Sequence, residues 1–245
     1  MRNLILFGIF IILLLAAQFA SGKTVDEVIE KYIRARGGKD KLASVKSIYM
    51  EGVKEMMGKE MTVKIIKQQD KLSRTEIETG VVNEFVLITD KEAWTFFPSR
   101  YAVPDKTPDE DLAGLQTELD IEGPMVDYIA KGHKAELLGK DVVEGNKCYK
   151  IKLTTKAGKE MMFWIDANTY LVNQSSTTGA GREAVIETFT FYKDYKEVGG
   201  IQFAHTCETK TAGSNAAGIG GETFFYKILL NPTIDPKMFS PEYQS

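Results

Sequence analysis

Cys148-Tyr149-Lys150-Ile151-Lys152-Leu153-Thr154-Thr155, then Lys156-Ala157-Gly158-Lys159, then Glu160-Met161-Met162-Phe163-Trp164-Ile165-Asp166 reads as strand, turn, strand. The period of two marks the strands, and Ala157-Gly158 marks the turn. So short a connection leaves no room for the crossover that parallel strands need. The same pattern recurs downstream at 170–177, 184–195, 202–209 and 222–230. Turns at Ala167-Asn168, Ala180-Gly181 and Gly199-Gly200 separate these segments, and a glycine-rich loop spans 213–221. Upstream, Ile48, Met50 and Gly52 face one way, while Tyr49, Glu51 and Val53 face the other. Met61, Val63 and Ile65 alternate with Thr62 and Lys64 beyond a Met57-Gly58-Lys59 turn. Segments 71–79, 83–89 and 93–97 continue the meander, which Pro98 interrupts.

Two helical regions break this β pattern. Thr24-Val25-Asp26-Glu27 is a capping box that opens an N-terminal helix. Val25, Val28, Ile29 and Ile33 form its apolar face, and Gly37-Gly38 ends it. A short second turn follows at 39–43. The other region is an insertion at about 105–132. Pro108 and the acids after it mark a helix start, with Leu112, Leu115 and Leu119 as a narrow apolar stripe. Gly123-Pro124 begins a second helical piece, with Met125, Val126 and Ile129 as its apolar face. Asp105, Asp109, Glu110, Asp111, Glu118, Asp120, Glu122 and Asp127 face Lys106 alone among basic residues up to Asp127. The insertion reads either as a solvated connection or as a helical lid. The expected architecture is mainly β (α+β): one long antiparallel meander with a helix before it and helices interrupting it.

Residues 4–17 form a run of 14 apolar or glycine residues after Arg2, and Ala20-Ser21-Gly22 offers a small-residue cleavage site. The run is shorter than the ~20 residues that span a bilayer. Residues 1–22 therefore read as a secretory signal peptide, and 23–245 as one exported, periplasmic domain without a lipid anchor. Removing Arg2 leaves 30 basic against 34 acidic residues, a net charge of −4. Nucleic acid recognition calls for a basic stripe, so nucleic acid is not expected as a partner. Cys148 and Cys207 lie in strand-like segments, where they either pair in an oxidising compartment or remain buried thiols.

Catalytic signatures are missing from the sequence. It holds two histidines and no G-x-S-x-G, H-E-x-x-H, C-x-x-C or phosphate loop. His205 and Cys207 share a strand face, but no third metal ligand has an obvious source. No metal, cofactor or enzymatic activity is expected. What stands out is adjacent apolar bulk: Met161-Met162-Phe163-Trp164, Phe224-Phe225-Tyr226, and Trp94 with Phe96 and Phe97. This bulk fits either a ligand cavity or a tightly packed core.

Three short motifs carry a resemblance. Ile88-Thr89-Asp90-Lys91-Glu92-Ala93-Trp94-Thr95-Phe96-Phe97-Pro98 resembles the "SDGK-x-W-x-Y-x-P" hairpin of LolA/LolB-like periplasmic lipoprotein carriers, the outer-membrane lipoprotein-sorting group. A helical lid follows that hairpin in the family. Phe163-Trp164-Ile165-Asp166 resembles the family's aromatic-x-Asp strand end. Pro232-Thr233-Ile234-Asp235 through Phe239-Ser240-Pro241 resembles its closing "I-x-x-x-x-F-x-x-P" tail. The resemblance implies an unclosed antiparallel β-barrel, or half-barrel, wrapped over the N-terminal helix and the inserted lid, whose apolar cavity shelters a hydrophobic ligand such as an acyl chain, lipid or lipoprotein. It also implies a membrane-associated donor or acceptor protein. Each exposed CH₂ of a lipid tail costs ~0.8 kcal/mol in water, so such a carrier must offer concave apolar surface. Strand parity within this fold assigns Met50, Met61, Trp94, Phe96, Met161 and Phe163 to the cavity lining, with Leu112 and Leu115 closing over it. The lid-fastening Arg of lipoprotein carriers falls here at Gln68, beside Lys67. The competing reading is a non-enzymatic envelope interaction protein that uses the same scaffold with a filled core.

Overall fold

The computed structural model describes residues 23–243 apart from 57, 81–82, 100–101, 181–184 and 213–219. The expected signal peptide, Gly181 of one turn and most of the glycine-rich loop lie outside the described residues. Among the described residues thirteen strands form one sheet. They are β1 Ser47–Met56, β2 Lys59–Gln68, β3 Leu72–Glu78, β4 Glu84–Thr89, β5 Ala93–Phe96, β6 Asp105–Lys106, β7 Lys134–Val143, β8 Asn146–Thr154, β9 Glu160–Asp166, β10 Val172–Ala180, β11 Val185–Val198, β12 Ile201–Ala212 and β13 Gly220–Leu230. Every sequential pair from β1 to β6 and from β7 to β13 is antiparallel, and β1 pairs with β13. The free edges are therefore β6 and β7, consecutive in sequence and bridged by the lid segment. The sheet is an open half-barrel.

Its inner face carries the helices. Helix α1, Val25–Arg36, begins with both capping-box hydrogen bonds between Thr24 and Glu27. It ends at Gly37, whose φ of 127° favours glycine. A Cβ at Gly37 would also overlap the Gly200 carbonyl oxygen, so the helix end and the β11–β12 turn meet there backbone to backbone. Val28, Ile29 and Tyr32 of α1 pack on Tyr149, Ile151, Leu153, Phe163 and Ile165. Each such apolar side chain contributes ~1.5–3 kcal/mol on burial. Helix α2, Lys39–Ser44, buries Leu42 against Val45, Ile48 and Ile201.

The lid contains α3, Asp109–Leu115, and a 3₁₀ turn, Gln116–Leu119. Leu112, Leu115 and Leu119 pack on Ile88 and Ala93 of the inner face. The second helical piece expected after Gly123-Pro124 is instead a series of turns. Asp127 there has φ 50°, a left-handed conformation that interrupts a right-handed helix. Met125 and Val126 are nonetheless fully buried beneath α1 and α2.

The outer face is covered in part by the C-terminal segment. Ile234, Met238 and Phe239 lie over Ile66, Leu72, Phe85, Leu87 and Phe96. Arg74 and Glu76 form an ion pair at 2.6 Å beneath it, each 1 % exposed. The Arg74 guanidinium donates to the carbonyls of Ser240 at 2.9 Å and Tyr243 at 2.7 Å.

Candidate ligand-binding site

Along β1 the inner positions are Ile48, Met50, Gly52 and Lys54. In β2 their partners are Lys67, Ile65, Val63 and Met61. Ile65 and Val63 in turn face Thr75 and Ile77 of β3. On the other side Met50 faces Ile228, and Gly52 faces Phe225, because a bulge in β13 skips Tyr226. Cys207 of β12 faces Thr223 of β13 and Tyr192 of β11. Helix α1 covers the sheet on one side of these strands and the lid covers it on the other. Between them remains a cavity of about 500 Å³, within the ~300–1,000 Å³ of small-ligand sites.

Met50, Val63, Ile65, Ile77, Phe203 and Phe225 give this cavity apolar walls, while threonines at 190, 209 and 223 line its far side. Arg36, Lys54, Lys67 and Asp120 supply its charged groups. Burial pushes the Cys207 thiol up to about 12. Burial does the same for the Tyr192 hydroxyl, to about 12, despite its 3.0 Å contact with Ser175 Oγ. Both groups are neutral at physiological pH and add no charge to the part of the wall formed by β11 and β12. Arg36, at the end of α1, donates from Nη1 to the Tyr32 hydroxyl and to the Glu122 carbonyl, each at 3.1 Å. Burial disfavours its charge, but Tyr32, Tyr195 and Asp120 together outweigh that effect and the net shift is upward.

Comparison with solved structures gives the arrangement a context. A LolA superfamily protein from Nitrosomonas europaea superposes with a TM-score of 0.56 at 13 % identity, covering 89 % of this chain and 98 % of that one. A DUF1329 family protein from Desulfovibrio piger gives 0.58 at 13 % identity, with the same two coverages, 89 % and 98 %. The chain shares the fold of these two structures. No protein-family profile matches the sequence, and no curated protein matches it.

The lid is fastened at the end of β2, around Gln68. The residues on either side of Gln68 make the contacts. Lys67 Nζ donates to the Glu118 carbonyl at 2.9 Å and lies 3.4 Å from the Glu118 carboxylate. Gln69 Oε1 accepts the Ile121 N–H at 2.8 Å, and the Asp70 N–H donates to the Leu119 carbonyl at 3.1 Å. On the lid's other side, Lys131 Nζ lies 2.7 Å from Asp120 and 3.8 Å from Glu122.

The residues assigned to the cavity by strand parity fall into three groups. Met50 lines the central cavity, and Met61 shares its face two residues beyond Val63. Met161 and Phe163 are also on the inner face but pack against α1 and Met125. Leu112 and Leu115 sit over β4 and β5 with Leu119. Trp94 and Phe96 are the correction, since they point outward and lie under Ile234, Met238 and Phe239. In β5 the inward positions belong to Ala93 and Thr95, which pair with the inward Ile88 and Val86. Side-chain bulk is misleading in that strand because the C-terminal tail buries its outer face. Sequence reasoning also missed Arg36, whose only signal was a basic residue in the last helical turn.

The two cysteines are free and on opposite faces, Cys148 with Trp164 outside and Cys207 in the cavity. His205 Nδ1 lies 2.7 Å from the Phe225 carbonyl oxygen, where β12 and β13 part. Among the described residues no group of three or more His, Cys, Asp or Glu side chains is arranged for a metal ion. No described helix is long and apolar enough to cross a membrane.

Proposed function

We propose that this chain is an exported, periplasmic, non-enzymatic binder or carrier of lipid-like ligands, with residues 1–22 as its signal peptide and 23–245 as one domain. The carrying observation is the uncovered stretch of inner face, walled by Met50, Val63, Ile65, Phe203 and Phe225, between α1 and a lid whose helix α3 buries none of its residues. An apolar concavity of this size has no role in stability, because filling it with side chains would stabilise the fold. A solved LolA superfamily structure shares the architecture. In this reading Met50 and Met61 contact the ligand directly, Leu112 and Leu115 belong to the closing lid, and Met161 and Phe163 seat the helix that forms one wall. A membrane-associated donor or acceptor protein completes the cycle.

The test is to purify the protein from the bacterial envelope, denature it and look for released acyl chains by mass spectrometry. Recovery of stoichiometric lipid supports the proposal. Its absence, together with no displacement of an apolar fluorescent probe by fatty acids, favours an interaction protein with an unused cavity.

A further inference from the structure

The cavity is apolar along its length, yet its charges do not cancel. Lys67 is engaged by Glu118. The one carboxylate in the lining, Asp120, is held by Lys131 at 2.7 Å and also accepts the Gly123 N–H at 3.2 Å. Arg36 and Lys54 remain, and neither has a carboxylate within ion-pair distance among the described residues.

Arg36 is the better placed of the two. Lys54 stands near the end of β1, six residues from Ile48 and so roughly 20 Å along the strand at ~3.3 Å per residue. Arg36 sits at the covered end, against Phe203 and beside the lid, with its guanidinium 6.0 Å from the Phe203 ring and 5.9 Å from the Tyr32 ring. Only Nη1 has acceptors, Tyr32 and Glu122. The Nε and Nη2 hydrogens have none among the described residues. They are also absent from the fully buried unpartnered atoms, which are Trp94 Nε1 and His205 Nε2. Arg36 lines the cavity, and this edge of its donor fork is left open. A planar guanidinium with free parallel N–H groups fits a carboxylate or phosphate in two-point fashion. A helix-end arginine serving only the dipole would point to water, where its charge is hydrated.

We infer that the ligand is an anionic amphiphile, its carboxylate or phosphate head held by Arg36 and its hydrocarbon tail lying along Met50, Ile65, Val63 and Phe225. This rests on the reading of the cavity as a lipid site and adds the chemistry of the head group.

The experiment measures equilibrium binding of palmitic acid, hexadecyl phosphate and hexadecanol, which share a tail, by displacement of an apolar fluorescent probe. It uses the exported chain and its R36Q, R36K and K54Q variants, with inorganic phosphate as a further competitor. The two acids should bind roughly ten- to a hundredfold tighter than the alcohol, the range for hydrogen bonds to a charged partner. R36Q should erase that preference while leaving hexadecanol binding intact, which also shows that the variant is folded. R36K should keep part of the preference, and K54Q should keep all of it. Equal binding of acid and alcohol would overturn the inference and leave the lipid site standing. A preference lost in K54Q but kept in R36Q would also overturn it, as would inorganic phosphate competing as well as the phosphate ester. If none of the three amphiphiles binds, the lipid site itself falls, and the head-group assignment with it.

Discussion

At the scale of single residues, the outer-face ion pair makes the sharpest forecast. Removing one partner of a buried pair strands a charge, at a cost of ~3–5 kcal/mol. Arg74→Ala should therefore lower the urea midpoint substantially, and it also removes the donors that hold the carbonyls of Met238, Ser240 and Tyr243. Limited proteolysis should then cut within 236–243 before anywhere else. Replacing Arg74 and Glu76 together by Met should recover most of the stability, since apolar isosteres carry no desolvation cost. Glu51 is held below the usual carboxylate range chiefly by the Tyr49 hydroxyl, with Tyr226 and Lys227 adding to it. A carboxylate whose pKa is lower folded than unfolded stabilises fully above its unfolded value, and loses that contribution as pH falls through the folded one. Glu51→Gln should thus destabilise at pH 7, and its deficit in denaturant titrations should shrink as pH drops below about 4.5, the ordinary value. Cys207, its thiol pushed up to about 12 by burial, should react slowly with a maleimide at neutral pH in a Cys148→Ser background. Reaction slowed further by a bound fatty acid would place that ligand against β12. Reaction at the rate of a free thiol would contradict the burial.

Among the elements, the lid divides into two parts of unequal stability. Helix α3 buries none of its residues, whereas Leu119, Met125 and Val126 are 5 %, 1 % and 0 % exposed. The latch at Lys67, Gln69 and Asp70 grips the lid only from residue 118 onward. Hydrogen exchange should therefore be fast over 109–115, slower over 119–126, and slowest in β8, because local opening follows buried contact. Adding a fatty-acyl ligand should slow the 109–115 amides, since ligand beneath the lid biases it closed. Protection there equal to that of β8, and indifferent to ligand, would make the lid a fixed connection. Gly37→Ala should be costly out of proportion to its size, because it meets both a φ of 127° and the Gly200 carbonyl. The expected loss is a few kcal/mol in thermal or urea unfolding, of the order attached to backbone strain plus overpacking.

For the whole molecule, the chain's two tryptophans stand in opposite arms of the sheet, Trp94 in β5 and Trp164 in β9. The arms are sequential meanders joined through β1 and β13, a pairing of residues far apart in the chain. If 23–245 is one domain, Trp94→Phe and Trp164→Phe variants should each show a single fluorescence transition with coincident midpoints in urea. Two separated midpoints would divide the arms. The sequence by itself determined most of the strands, their antiparallel hairpins, the capped first helix and the interruption at the lid, while the two-residue β6 falls inside the stretch expected to be lid. Those features rest on local periodicity and turn chemistry, which neighbouring residues settle among themselves. Strand parity was legible wherever the outer face meets water, as in Lys64 opposite Ile65. It failed at Trp94 and Phe96 because a tail more than a hundred residues away covers that outer face, and alternation loses its meaning when both faces are buried. The turns after Gly123, the latch flanking Gln68 and the open donors of Arg36 were likewise decided only by tertiary structure. Each depends on which distant backbone carbonyls or rings come within a few ångströms, and that distance is set by the closing of β1 on β13.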